Sequence, residues 1–390
     1  MDVGVRSSDI VAGEPELEAL ARDVATASRL AVDVEASGMF AYRARPCTLQ
    51  FAWNGGKRIA IVDALAVAPS ALSEVLGDRG PVKIIHDVAF DARLLAEEHV
   101  LLGNVHDTAV AAQMLGRSAT GLASLVGAEL GVSLDKAMQH QDWRQRPLDP
   151  AMLTYLTEDV AHLEALESKL WTELIDRDIE EAVLEETSYR IGCAQRAVQS
   201  PNSSPPYVRI KGIERLSACA LAVLRVLADV REREAERLDV PPQHVLSNDT
   251  LMTIARSGVT DPIAIARVRG VVASPYGVAL AGSLADAAAG AGPHVPDADR
   301  AWLERPCVAA EVAHARRLRE ERVHSWRKAE AQRRCVSEQV ILPGHCLRDL
   351  AQGEVNTVED VARVLGIGEF RVRRDGEAII HALRSTDKAT

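Results

Sequence analysis

Short apolar runs separated by turn-rich stretches mark the first third of the chain. Residues 30–35 (LAVDVE), 47–53 and 58–63 alternate or run apolar over strand lengths, so three strands are predicted. Little chain separates them, which favours antiparallel pairing. Residues 82–86 predict a fourth strand leading into a helix over 89–98. From 107–115, from 122–130 and from Pro150 onward the apolar period becomes helical, and an acid-rich helical stretch runs to about Ala197. SPNSSPPY at 200–207 then interrupts it, because its prolines cannot continue a helix. Beyond it the pattern is helical in two blocks of similar layout. Each opens on a long charged helix, 218–238 or 308–340, and continues through VLSNDTLMTIA (245–255) or ILPGHCLRDLA (341–351). A duplication explains the repeat. The pattern therefore predicts an α/β part followed by an all-α part, with domains at 1–200, 208–290 and 299–390. A cut near Ser204 is expected to cross few packing contacts and to leave a folded N-terminal domain.

Composition narrows the class. Of 390 residues, 47% are hydrophobic and 26% charged, values that exclude a wholly disordered chain. No apolar run reaches the roughly 18 residues of a membrane span, and the N-terminus lacks a signal peptide's basic start and apolar core. The six cysteines stand far apart with no CxxC pair, as expected for reduced thiols of a cytoplasmic protein rather than a zinc site or disulfide scaffold. The net charge of -11 is uneven: residues 1–200 carry -13 and the remainder +2. Within the latter, 315–334 alone carries +5. An acidic half suited to cations thus joins a half suited to phosphate.

Three constellations carry candidate chemistry. Asp33 and Glu35 sit two apart in an apolar strand, so both carboxylates face one side, where they repel unless a cation neutralises them. For such a pair alone, an edge strand with a solvated acidic face is the more common explanation. Tyr155 and Asp159 share one face of a helix at i, i+4, which alone is an ordinary helix pair. Asp91 falls in the first turn of a helix, where the dipole favours a carboxylate with or without a metal. His86 and Asp87 at the strand–helix junction read as caps, and Asp107 as the N-cap of the next helix.

Taken together and in this order, Asp33, Glu35, Asp91, Tyr155 and Asp159 resemble the DEDD superfamily of 3′–5′ exonucleases in its tyrosine branch. The histidine branch is not matched, since Thr154 stands at that position. GMFAYRARPCTLQFAW after DVE, and LGVSLDKAMQHQDWRQRPLDPAMLTYLTEDVAHLEAL, look like ribonuclease D. The stretch ACALAVLRVLADVREREAERLDVPPQHVLSNDTLMTIAR resembles an HRDC domain, and NTVEDVARVLGIGEFRVRRDGEAIIHAL a divergent second copy. Asp87 and Glu158 depart from the usual pattern. The resemblance implies a ribonuclease H-like mixed-sheet nuclease domain followed by two helical HRDC-like domains. It further implies two divalent cations, Mg²⁺ or Mn²⁺, held by Asp33, Glu35, Asp91 and Asp159, with Asp33 bridging and Tyr155 orienting the attacking water. The implied substrate is an RNA 3′ end, such as a tRNA precursor, with no membrane and no obligate protein partner. A DNA exonuclease and an inactive nucleic-acid adaptor are the alternatives. Phe40 and Tyr42 are candidates to stack on bases, Arg43 to meet a phosphate and His86 to contact substrate; core packing explains the aromatics equally. Trp143, Arg144 and Arg146 are expected to brace the loop before the last motif. Gly366-Ile367-Gly368 could offer amides to a phosphate, or simply pack two helices.

Overall fold

The three adjacent runs pair antiparallel, as expected, and form the middle of a larger mixed sheet. The computed structural model describes residues 9–135, 138, 140–200, 204–304 and 308–384. Its strands are β1 (Asp9–Val11), β2 (Arg29–Ala36), β3 (Pro46–Trp53), β4 (Arg58–Asp63), β5 (Val82–Ile85) and β6 (Val105–Asp107), in the order β1-β4-β3-β2-β5-β6. β2 lies antiparallel to β3 and parallel to β5, while β6 and β1 extend the sheet in parallel on β5 and β4. β1 and β6 were not expected, because three residues are too few to show a period. Every position of β3 is buried, which explains why it reads as a continuous rather than alternating run.

The longer helices before residue 200 are α1 (Glu14–Val24), α2 (Ala89–Glu97), α3 (Thr108–Met114), α4 (Leu122–Leu130), α5 (Pro150–Ala161), α6 (Leu163–Asp176) and α7 (Glu180–Gln199). Asp149 caps α5 by accepting from the Met152 N–H at 2.8 Å, with Pro150 at the first helical position. None of the described helices is long and apolar enough to cross a membrane.

By packing, the chain forms two compact units: Met1–Ala36, Pro46–Ser200 and Val308–Thr390 in one, Ser37–Arg45 and Pro201–Cys307 in the other. The second unit is built on α8 (Ala218–Leu238), with Leu224, Leu227, Leu251, Ile254 and Leu284 in its core. In it Asp299 accepts from the buried Tyr207 hydroxyl at 3.1 Å and from Arg225 at 2.7 Å. In the first unit, the long helix α9 (Ala310–Arg334) opens the second block, and α10 (Glu369–Arg384) closes it. The duplication is visible in detail. α8 and α9 each end on a left-handed residue, Asp239 (φ 49°) and Cys335 (φ 54°), which stops the second helix short of the expected Val340. Each carries a buried arginine at the same offset from that residue: Arg231 donates to Leu246 O and Arg327 to Glu338 O.

The expectation that few contacts cross the 200–207 stretch fails. Val340 and Phe370 belong to one buried cluster with Val110, Leu166, Leu174 and Val183 of the nuclease region. Glu185 on α7 accepts from the Phe370 N–H at 2.6 Å and from Arg371 at 2.7 Å, at the first turn of α10. Its carboxylate therefore stands where an anion would bind a helix N-terminus. Gly368 permits this approach, since a Cβ there would meet Glu185 at 2.1 Å. Gly366 has φ +89°, and a Cβ there would meet His345, whose ring stacks on Tyr189 at 3.9 Å. The Gly-Ile-Gly turn thus packs helices.

Arg371 is fully buried, with further bonds to Ala182 O and Gln339 O at 3.2 Å each. Removing one partner of such a pair strands the other charge, so Arg371→Ala should lower the unfolding free energy by about 3–5 kcal/mol in urea titration. A loss below about 1 kcal/mol, the range of exposed pairs, would show that this contact does not hold the second block in place.

Candidate active site

β2 carries the chemistry because of its register. Asp33 stands opposite Gln50 and Glu35 opposite Thr48, and a bulge follows Glu35. Val32 and Val34 face the other side of the sheet and are buried, leaving both carboxylates on one face, as the alternation predicts. α5 packs across β2, β3 and β4 and brings Asp159 to that face. One carboxylate oxygen from each of Asp33, Glu35 and Asp159 lies within 4.8 Å of the others. All three line a cavity of about 210 Å³ together with His86, Tyr155 and Asp135.

The electrostatics are those of a site short of positive charge. Burial raises Asp33 to about 6, against a lowering hydrogen bond from the Val34 backbone. Burial, then the charges of Asp33 and Asp159, raises Glu35 to about 9. Burial and Asp33 raise Asp159 to about 8, with the Tyr155 hydroxyl bonding to it in opposition. Asp91 is not part of the 4.8 Å group; it is buried, and burial followed by Asp33 and Glu35 pushes it well above the usual carboxylate range. No lysine or arginine lines the cavity among the described residues. Three convergent carboxylate oxygens without a basic partner fit a hard divalent cation, which prefers such ligands.

Several residues that sequence reasoning left without a role hold this arrangement. Gln50, in the orientation that satisfies both ends of its amide, donates to Asp33 O at 2.8 Å and Oδ2 at 3.2 Å while accepting from Thr48. Asp107 is the expected N-cap, accepting from Ala109 and Val110 N–H, but it also accepts from Asp87 and Val88 N–H at 3.0 Å each. It therefore fixes the β5–α2 junction that presents His86 and Asp91. His86 and Asp87 do not cap α2, whose N-cap position is Val88. His86 Nδ1 lies 2.9 Å from Thr108 Oγ1, and burial lowers its pKa, so the ring is neutral. Trp143 is buried with its ring 5.6 Å from that of Tyr155, and Arg146 chelates Asp63 at 2.6 Å and bonds Cys47 O at 2.9 Å. Both brace the loop before α5, as expected; Arg144 pairs locally with Asp142.

Phe40, Tyr42 and Arg43 do not line this cavity. Tyr42 N–H donates to Asp239 at 3.1 Å and Arg43 lies 3.4 Å from Glu236, all within the second compact unit. The Phe40 N–H closes a turn onto Ser37 O.

Raised carboxyl pKa values make apo stability pH-dependent. In the folded chain these groups keep protons that the unfolded chain releases near pH 4, so stability is full below that and is lost as pH rises through about 6, 8 and 9. The apo melting temperature should therefore fall between pH 6 and 9, and added Mn²⁺ should reverse the fall at the upper end. A melting temperature flat in pH and indifferent to Mn²⁺ would dismiss the cluster as a cation site.

Residues 9–175 match the 3′–5′ exonuclease family, and residues 220–276 and 318–383 match the HRDC domain. Ribonuclease D of Desulfotalea psychrophila is 31% identical over 204 residues, covering 52% of this chain and 54% of that one. Ribonuclease D of Gluconacetobacter diazotrophicus is 30% identical over 250 residues, covering 62% of this chain and 61% of the relative. The chain thus spans roughly half to three fifths of the length of these curated relatives. The fold is shared with a protein from Bifidobacterium adolescentis (TM-score 0.78, 22% identity, 97% of each chain). It is shared too with Escherichia coli RNase D, an exoribonuclease involved in structured RNA processing (TM-score 0.69, 20% identity, 98% of this chain and 100% of that one). Residues 9–175 thus match a 3′–5′ exonuclease domain and are followed by two HRDC segments, and the chain is similar to ribonuclease D of two bacteria.

Proposed function

We propose that this protein is a metal-dependent 3′–5′ exoribonuclease that trims the 3′ ends of structured RNAs such as tRNA precursors and releases nucleoside 5′-monophosphates. The observation that carries the reading is the convergence of Asp33, Glu35 and Asp159 within 4.8 Å, with the Tyr155 hydroxyl bonded to Asp159. Ribonuclease D among the relatives supports RNA over DNA.

Asp33, Glu35, Asp91 and Asp159 are assigned as the ligand set for two cations, Mg²⁺ or Mn²⁺. When bound, these would supply an activated water and neutralise charge on the leaving 3′ oxygen. Gln50 fixes the Asp33 carboxylate, so that its oxygens are set before substrate arrives. Tyr155 stays a phenol, because burial and then the charges of Asp159 and Glu35 push its pKa up. It therefore acts as a hydrogen-bonding group that orients the attacking water, not as a general base. The packing of Trp143 holds the phenol ring at its position. His86 offers a neutral imidazole wall to the nucleotide at the cavity, which adds no charge to the phosphate it would face.

Purified protein given 5′-labelled RNA and DNA oligomers with Mg²⁺ or Mn²⁺ should shorten RNA from the 3′ end by single nucleotides and act on DNA more slowly. Faster DNA degradation would select the DNA exonuclease reading, and binding without hydrolysis the adaptor reading. Asp33→Asn or Asp159→Asn should abolish nucleotide release while the apo melting temperature holds or rises, since one member of a repelling set is neutralised. Near wild-type turnover in either variant sinks the ligand assignment.

Tyr155→Phe should lower kcat markedly with RNA affinity unchanged, because only the orienting hydroxyl is lost. A loss confined to affinity would instead make Tyr155 a substrate contact.

A further inference from the structure

Asp87 departs from the pattern of the family the chain resembles. It sits between His86, which lines the carboxylate cavity, and α2, whose first turn holds Asp91. Its backbone is left-handed, with φ 62°, a conformation that a residue with a side chain keeps only where its surroundings impose it. Asp107 imposes it from one side, accepting from the N–H groups of Asp87 and Val88. Arg190 acts from the other, on α7, which packs along α2. Each of its three guanidinium nitrogens has its own acceptor. Nη1 lies 3.6 Å from Asp87 Oδ1, Nη2 donates to Gln113 Oε1 at 2.8 Å, and Nε donates to Glu186 Oε1 at 3.1 Å.

Glu186 is buried, and its other oxygen meets His345 Nε2 of the second helical block at 3.1 Å. Burial works to raise its pKa, but the bonds from His345 and Arg190 prevail and hold it below the ordinary range. The carboxylate is therefore charged at neutral pH, and His345 must present an Nε2–H to it. That ring is itself clamped. It stacks on Tyr189 at 3.9 Å, its Nδ1 lies 3.3 Å from Cys346 Sγ, and a Cβ on Gly366 would meet it at 2.2 Å.

A planar fork with three acceptors in three directions has one orientation. An exposed Asp–Arg pair alone contributes little, because both side chains must be ordered to form it. Here the guanidinium is already held by Glu186 and Gln113 when Asp87 meets it. We propose that Arg190 is a positioning residue for the candidate active site: through Asp87 it fixes the β5–α2 junction that sets His86 and Asp91, and His345 locks it in place through Glu186. This assignment rests on the carboxylate cavity holding a divalent cation. It gives the second helical block a task in the site that requires no contact with substrate. In the rival explanation Arg190 serves only to neutralise the buried Glu186, and its approach to Asp87 is incidental.

The Mn²⁺ affinity of the full chain, read from the electron paramagnetic resonance signal of the free ion with no RNA present, tests this without turnover. Removing a positive charge near a cation site by itself tightens cation binding. Arg190→Gln should instead weaken it, by roughly three- to tenfold, because Asp91 is no longer held in place. Asp87→Asn, which keeps a residue suited to the left-handed backbone, should weaken it too. The double variant should bind no more weakly than the weaker single one, since both act through one contact. His345→Ala should weaken binding less than Arg190→Gln does, and His345→Gln, which keeps a donor, should restore it. In chelator, hydrogen exchange over residues 86–91 should quicken in Arg190→Gln while β2 and β3 keep their wild-type rates. Unchanged or tighter binding in Arg190→Gln, or single losses that add in the double variant, overturns the proposal. So does exchange that quickens throughout the fold, which would signal general damage. Wild-type affinity in His345→Ala overturns the lock. A wild-type chain that binds no Mn²⁺ defeats the cation reading of the cavity, and the exchange of 86–91 then decides by itself whether Arg190 holds the junction.

Discussion

Mutual repulsion among half-buried carboxylates is the constraint around which the nuclease region is built. Asp33 and Glu35 occupy an interior strand, where each loses hydration and feels the charge of the other. The fold relieves this only in part: the Val34 N–H and the Gln50 amide serve Asp33, and the Tyr155 hydroxyl serves Asp159. Nothing cationic among the described lining residues completes the neutralisation. The surroundings are correspondingly rigid. β2 is held on both edges by β3 and β5, α5 is capped by Asp149 and backed by Trp143, and the β5–α2 junction hangs on two N–H bonds to Asp107. A site that is electrostatically unfavourable when empty must be held by its scaffold, and that strain is what gives it affinity for a cation.

A second carboxylate solves the opposite problem. Glu185 lies against the amide of Phe370 and the guanidinium of Arg371, and gives the buried arginine a counter-charge beyond its bonds to Ala182 O and Gln339 O. The interaction joins the second helical block to α7 through a contact that only glycine at 368 permits. It also changes what the block can do. The turn that sequence alone leaves open as a phosphate site is taken by an internal anion, so any nucleic-acid contact by this block must use another surface.

The parts of the site that lie close in sequence were the legible ones. DxE on a strand and Tyr-x₃-Asp on a helix are local spacings, and their side-chain directions follow from the period of the element. The consecutive antiparallel strands and the doubled helical layout were legible for the same reason. What escaped depends on register or tertiary contact. Gln50 serves Asp33 only because β3 pairs with β2 in that register, and Asp107 reaches Asp87 and Val88 only because β6 lies beside β5. Arg43 looks like a phosphate contact from its position after the first motif, yet its charge is spent on Glu236. The 200–207 stretch reads as a boundary from its prolines, while the packing of Phe370 and Val340 with α3, α6 and α7 carries cohesion across it.

Charge must be read at the same level. The run 315–334 is +5 as a string, but in the fold its last third is neutralised by Glu330 and Asp375, and Arg327 by Glu338. Arg316, Arg319 and Arg322 on one face of α9 line a cavity together with Arg384. Carboxylates gathered on one face attract cations and repel anions, at a range set by a Debye length of about 8–10 Å.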